Sequence, residues 1–141
     1  MRNVDKKILY MMMATIWVLI FLCSCSLFDA SDKKVGNIDF TVINPEELPE
    51  EIREMIEERQ KEDFQMAYHD GSYSYIIVGY GQQETSGYSI QVKDVYQGEN
   101  GIWVDTNLIG PEKSETVEAV PSYPYVVIKI EIVDQTIRFK S

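Results

Sequence analysis

Two cysteines, one histidine and nine tyrosines are the side chains of this 141-residue sequence best suited to chemistry beyond packing. The cysteines stand together in Leu22-Cys23-Ser24-Cys25. Ahead of them lie the basic residues Arg2, Lys6 and Lys7, then an uncharged apolar run over 8–21. A positive start, an apolar stretch and a small residue at the cut define a secretion signal. With Ser24 at the cut, Cys25 becomes the first residue of the remaining chain, and its thiol is the group open to modification. Cys23 fits that position worse, because bulky Leu22 would then sit at the cleavage site. A Cys23–Cys25 disulfide would staple nothing, the two being one residue apart. The apolar run is also shorter than the ~20 residues that span a bilayer comfortably.

Leu at −3, a small residue at −1 and Cys at +1 resemble the lipobox of bacterial lipoproteins. The resemblance implies a diacylglyceryl group on Cys25 and an extracytoplasmic protein anchored to a bacterial membrane through that lipid. The layout expected is a signal over 1–24, a lipidated Cys with polar tether over 25–36, and one domain over 37–141. A tether of that length reaches no more than ~35–40 Å at ~3.3–3.6 Å per residue, so the domain works close to the membrane. The formal net charge is −10, and the signal removes three basic residues and one acidic one. What remains is therefore more acidic still. Nucleic acid is excluded as a partner, since phosphate contacts need clustered Lys and Arg.

Catalytic and metal chemistry find little to work with. The single His69 lies in His69-Asp70-Gly71-Ser72, a turn pattern, and no Cys nucleophile remains after lipidation. No Cys or His cluster and no calcium-loop spacing is present, so no cofactor or metal is expected. Gly79-Tyr80-Gly81 lacks the Lys-Ser/Thr of a phosphate loop. The tyrosines recur at strand spacing, which suits sheet packing. Trp103 falls opposite the Ile102 and Val104 face, as second-face core or as a contact residue.

The elements that would position these residues are mostly strands. Tyr73–Tyr80 is apolar on both alternating faces, as a central strand requires. Tyr88, Ile90 and Val92 alternate with Ser89, Gln91 and Lys93, one face in the core and one in water. Further strands are expected over 37–43 (Ile38, Phe40 and Val42 inward), at Phe64-Gln65-Met66-Ala67-Tyr68, over 102–108, at the short edge 115–120, over 125–133 and over 137–140. Asp70-Gly71 marks a hairpin turn with positive φ at Gly71. Asn44-Pro45-Glu46-Glu47-Leu48-Pro49 carries helix-entry chemistry, with Pro45 or Pro49 starting a helix that runs to about Lys61 and has Ile52, Met55 and Ile56 as its narrow apolar stripe. The fold class is mainly β (α+β): an antiparallel sandwich or barrel-like sheet of seven or eight strands with one amphipathic helix packed on it.

The loop 81–87 is longer than a tight hairpin needs. Its polar middle, Gln82-Gln83-Glu84-Thr85-Ser86, is bracketed by Gly81 and Gly87, which permit backbone shapes closed to other residues. Loops on rigid scaffolds often carry contacts. Glu84, Thr85 and Tyr88 are therefore candidates to meet a protein partner, beside Tyr123 and Tyr125 if 121–124 lies at the same end.

Several of these motifs resemble the family named for the carboxyl-terminal domain of the protease complex subunit PrcB. They are the apolar strand over 75–81, Thr85-Ser86-Gly87-Tyr88-Ser89-Ile90, the alternating strand through Val92 and Val95, and Tyr123-Pro124-Tyr125-Val126-Val127. The departures are Gln82-Gln83-Glu84, where a Pro is expected, and Ser86 in place of the first Gly of a pair. The resemblance implies a non-enzymatic lipoprotein that assembles or stabilises a cell-surface protease complex, with a secreted or surface protease as partner. A fainter similarity to chagasin-like protease inhibitors implies the alternative, in which Thr85 to Tyr88 form a loop presented to an active-site cleft. The lipid assignment predicts that Cys25→Ala blocks palmitate labelling and leaves the signal uncleaved, while Cys23→Ala does neither. Labelled Cys25→Ala protein would place the lipid elsewhere.

Overall fold

The computed structural model describes residues 6–8, 10–13 and 33–140. Contacts divide the chain into two units, 1–30 and 31–141. In the first, the described residues are helical. The lipobox and Cys25 lie outside the described residues.

The second unit is built on the strand apolar on both faces. Strand β4 (Tyr73–Tyr80) is buried from Ser74 to Gly79 and lies between two other strands. Its sheet runs β2 (Phe40–Val42), β7 (Tyr125–Glu131), β4, β3 (Asp63–His69). The second sheet runs β1 (Lys34–Asn37), β5 (Ser89–Gly98), β6 (Gly101–Ile109), β8 (Ile137–Lys140). Ile76 and Val78 of β4, with Ile128 and Ile130 of β7, meet Val95, Ile102 and Val104 of the second sheet. On the other face Tyr75, Ile77 and Val127 meet Leu48, Ile52 and Ile56. The last two belong to helix α1 (Glu50–Arg59), which follows a short 3-10 turn at Pro45–Glu47. Burying an aliphatic side chain of this size contributes about 1.5–3 kcal/mol. The layers are thus helix, sheet, sheet: an α+β sandwich of eight strands among the described residues.

Five expectations need correction. The strand expected over 37–43 is two strands in different sheets, β1 on β5 and β2 on β7. Ile38 packs on the core, but Phe40 and Val42 are exposed, because β2 is a sheet edge. Lys34 to Gly36, read as the end of the tether, belong to β1. Residues 115–120 form no strand: Glu118 bonds to Ser86 of another loop, and the Glu115 amide donates to Glu112 of its own. Finally, the sheets are not wholly antiparallel: β8 runs parallel to β6. It arrives from β7 in the opposite sheet, and that crossing sets its direction.

Trp103 is buried on the face away from Val104, cross-strand from Tyr96, with the Arg138 guanidinium 5.9 Å from its ring. Gly79 is needed for close approach, because a Cβ there would run into the Phe64 ring on β3. The β3–β4 hairpin forms as expected, with Gly71 at φ 93°. Gly71 and Ser72 occupy its two central positions, since Asp70 N–H donates to the Tyr73 carbonyl at 3.1 Å. The Asp70 carboxylate accepts from the amides of Tyr73 (2.8 Å) and Ser72 (2.9 Å), which hold its pKa below the usual value. Gly71→Val forces a β-branched residue into positive φ and should lower stability by about 1 kcal/mol or more. A denaturant midpoint shift checks this, and an unchanged midpoint would remove the constraint.

Candidate functional site: the paired loops at one end of the sandwich

Strands β4 and β6 end, and β5 and β7 begin, at one end of the domain. The loop 81–88 therefore carries the chain from one sheet to the other, and 110–124 carries it back. That crossover accounts for the length of the first loop, which a hairpin would not need.

The two connections are bonded to each other. Gln83 and Ser122 form an antiparallel bridge, with amide-to-carbonyl distances of 2.8 and 3.1 Å. The Ser86 amide donates to the Glu118 carbonyl at 3.0 Å, and the Glu118 amide to Ser86 Oγ at 2.9 Å. Ser122 Oγ donates to the Thr85 carbonyl at 2.6 Å. The Tyr123 hydroxyl reaches Gln82 Oε1 at 3.4 Å, and Gln83 Nε2 donates to the Tyr80 carbonyl at 2.7 Å. Gly81 (φ 64°) and Gly87 (φ 89°) turn the backbone at either side. A Cβ at Gly87 would stand 2.9 Å from Val117 Cγ1, so the second loop presses against it.

Of the residues singled out from the sequence, Glu84, Thr85 and Tyr123 come together here. Glu84 is exposed, Thr85 and Tyr123 half-buried, and the Thr85 hydroxyl bonds only locally, to the Ser86 carbonyl at 3.1 Å. Half-buried Tyr88 lies beside Gly110 at the base of the second loop. Tyr125 is set apart: it lines a hollow with Glu46, Arg53 and Glu57 on the helix side. Burial raises the pKa of its phenol, with Arg53 opposing and Glu57 adding. Burial, with Asp70 nearby, likewise raises that of Tyr75, so both phenols stay protonated at neutral pH. Gln82, Gln83, Ser86, Glu118 and Ser122, which hold the site together, were not singled out. The bonded pairs lie more than thirty positions apart, and no spacing pattern spans that distance.

His69 Nδ1 lies 2.8 Å from Ser74 Oγ. Ser74 has no exposed surface, so this pair presents no nucleophile to a substrate. Among the described residues no group of three or more His, Cys, Asp or Glu is placed to hold a metal ion.

The site thus defines a two-sheet β-domain whose crossover loops are locked into one polar surface. Residues 74–131, from the start of β4 to the end of β7 and including both loops, match the family model described as PrcB C-terminal. The family read from the motifs is the one that matches. No curated protein and no solved structure matches the chain.

The bonding makes two stability predictions. Glu84→Ala with Thr85→Ala removes no bond between the loops and should leave the melting temperature nearly unchanged. Gly87→Ala adds a methyl group at positive φ against Val117 and should cost about 1 kcal/mol or more. Thermal melts of the variants distinguish an ordered loop pair from a loose connector.

Proposed function

We propose that this chain is a lipid-anchored, extracytoplasmic interaction module that assembles or stabilises a cell-surface protease complex. It would bind its protein partner through the paired-loop end of the sandwich. One observation carries this reading: the two crossover loops are bonded into a fixed surface and fall within the span that matches the PrcB C-terminal family. A surface ordered before binding loses less conformational entropy on association. Glu84 stands exposed on it, with the Tyr123 ring beside the loop. Attachment through Cys25 would hold the domain near a membrane-bound partner, and stable anchoring takes more than one acyl chain.

The alternative, an inhibitory loop from Thr85 to Tyr88, asks that segment to enter an active-site cleft. The Thr85 carbonyl and Ser86 amide are already bonded to the second loop, which favours assembly over insertion. Crosslinking from membranes of cells producing the full-length chain tests the proposal. Glu84→Ala with Thr85→Ala should lower recovery of the crosslinked partner several-fold at unchanged melting temperature. Recovery equal to wild type would move the binding surface elsewhere. Inhibition of any member of a panel of secreted proteases, lost in the same variant, would establish the inhibitor instead.

A further inference from the structure

The two outer faces of the sandwich carry opposite charge. On the first sheet that face is covered by α1, whose Glu50, Glu51, Glu54, Glu57 and Glu58 are exposed, against Arg53 and Arg59. On the second sheet Ile102 and Val104 point into the core, so Trp103 and Asp105 point away from it. The register places Tyr96 and Arg138 beside Trp103, and Asp94 and Lys140 beside Asp105. Lys93 sits in the β5 irregularity on the same side, 3.6 Å from Asp105, and Lys34 reaches Asp94 at 2.6 Å.

The charges of this face are layered. Lys34, Lys93, Arg138 and Lys140 are exposed, while Asp94 and Asp105 are half-buried among them. Lys34 lies over the Tyr96 ring and Arg138 over the Trp103 ring, at 5.3 and 5.9 Å, so buried rings form a floor on which the cations stand. Arg138 has no carboxylate partner among the described residues, and its Nε donates to the Asn100 carbonyl at 3.2 Å. With every carboxylate of these strands counted, the face keeps an excess of positive charge in a chain of net charge −10. Lys34 also opens β1, an edge of this sheet, so the tether from Cys25 ends here and reaches about 30 Å at most.

We propose that the outer face of the second sheet rests on the anionic phospholipid surface of the membrane that holds the chain, with α1 turned away from it. The negative charge of the whole domain does not oppose this contact. Sheets pack about 10 Å apart and a helix layer adds about 10 Å more, so the α1 carboxylates lie about 20 Å behind the face. Salt screens charge over about 8 Å, and the lipid therefore acts on the nearest side chains. A sheet lying flat on a membrane points its strand ends along it, so the paired loops would meet a neighbouring membrane protein from the side. The proposal rests on the anchoring read at Cys25 and not on the role of the loops.

Trp103 reports the contact, because Trp17→Phe leaves it as the sole indole. The test reconstitutes the full-length Trp17→Phe chain, made in bacteria supplied with labelled palmitate, into phosphatidylcholine vesicles with or without phosphatidylglycerol. Both carry a headgroup-spin-labelled lipid. Quenching of Trp103 should be at least twofold stronger with phosphatidylglycerol, and high salt should remove the difference. Lys34→Gln with Arg138→Gln, and separately Lys93→Gln with Lys140→Gln, should each at least halve that difference. Either pair is decisive where the other lowers the melting temperature. Arg59→Gln with Lys61→Gln takes the same charge from the helix side and should leave the difference unchanged. Equal quenching in the two lipids by palmitate-labelled chain overturns the orientation and leaves the anchor standing. A difference that survives both face variants overturns it too. So does one that falls as far in the Arg59 and Lys61 variant, which would make net charge the cause.

Discussion

Strand β4 is apolar on both faces, and such a strand must be covered twice. Ile76 and Val78 need a layer on one side, Tyr75 and Ile77 on the other. The second sheet supplies the first cover and α1 with Leu48 the other. Strand β7 shares the arrangement, with Ile128 and Ile130 facing one way and Val127 the other. Each fully buried aliphatic contributes about 1.5–3 kcal/mol, so these two strands hold much of the driving force for folding. Close packing extends to the backbone, where the Phe64 ring lies against Gly79.

The double cover also dictates the connections. Successive strands that belong to opposite sheets need a crossing, so the chain must pass between the layers, through two residues from β1 to β2 and through longer loops elsewhere. It crosses after β4 and again after β6, at the same end. Two crossing segments side by side leave backbone groups that need partners, and they satisfy one another through Gln83, Ser86, Glu118 and Ser122. A polar surface ordered by its own hydrogen bonds is the consequence. On the open flank β3 is a sheet edge, and its residues Asp63, Gln65, Ala67 and His69 stay exposed.

Burial and local hydrogen bonds set the state of the perturbed ionisable groups. The Tyr75 and Tyr125 phenols are pushed away from ionisation by burial. Asp70 spends its carboxylate on the Ser72 and Tyr73 amides of its own turn. Lysines lie over aromatic rings, Lys129 over Tyr73 at 4.6 Å and Lys34 over Tyr96 at 5.3 Å. Lys93 and Lys140 are likewise engaged, both standing near the Asp105 carboxylate.

Local chemistry was legible in the sequence. The two-faced run over 73–80 required a central strand, Asp70-Gly71-Ser72 required a turn with positive φ, and Ile52 with Ile56 required a helix buried along one stripe. Periodicity determines such features because each depends on residues within a turn or a strand of one another. Which strands share a sheet depended on contacts far apart in the chain. Alternation could not reveal that the segment from Lys34 to Val42 changes sheets between Asn37 and Phe40, or that β8 lies parallel to β6. Nor could it show that 115–120 would form no strand and that its Glu118 would bond to Ser86 instead. Those outcomes were decided by the closing of the sandwich, where a backbone group takes whichever partner the packed layers bring within reach.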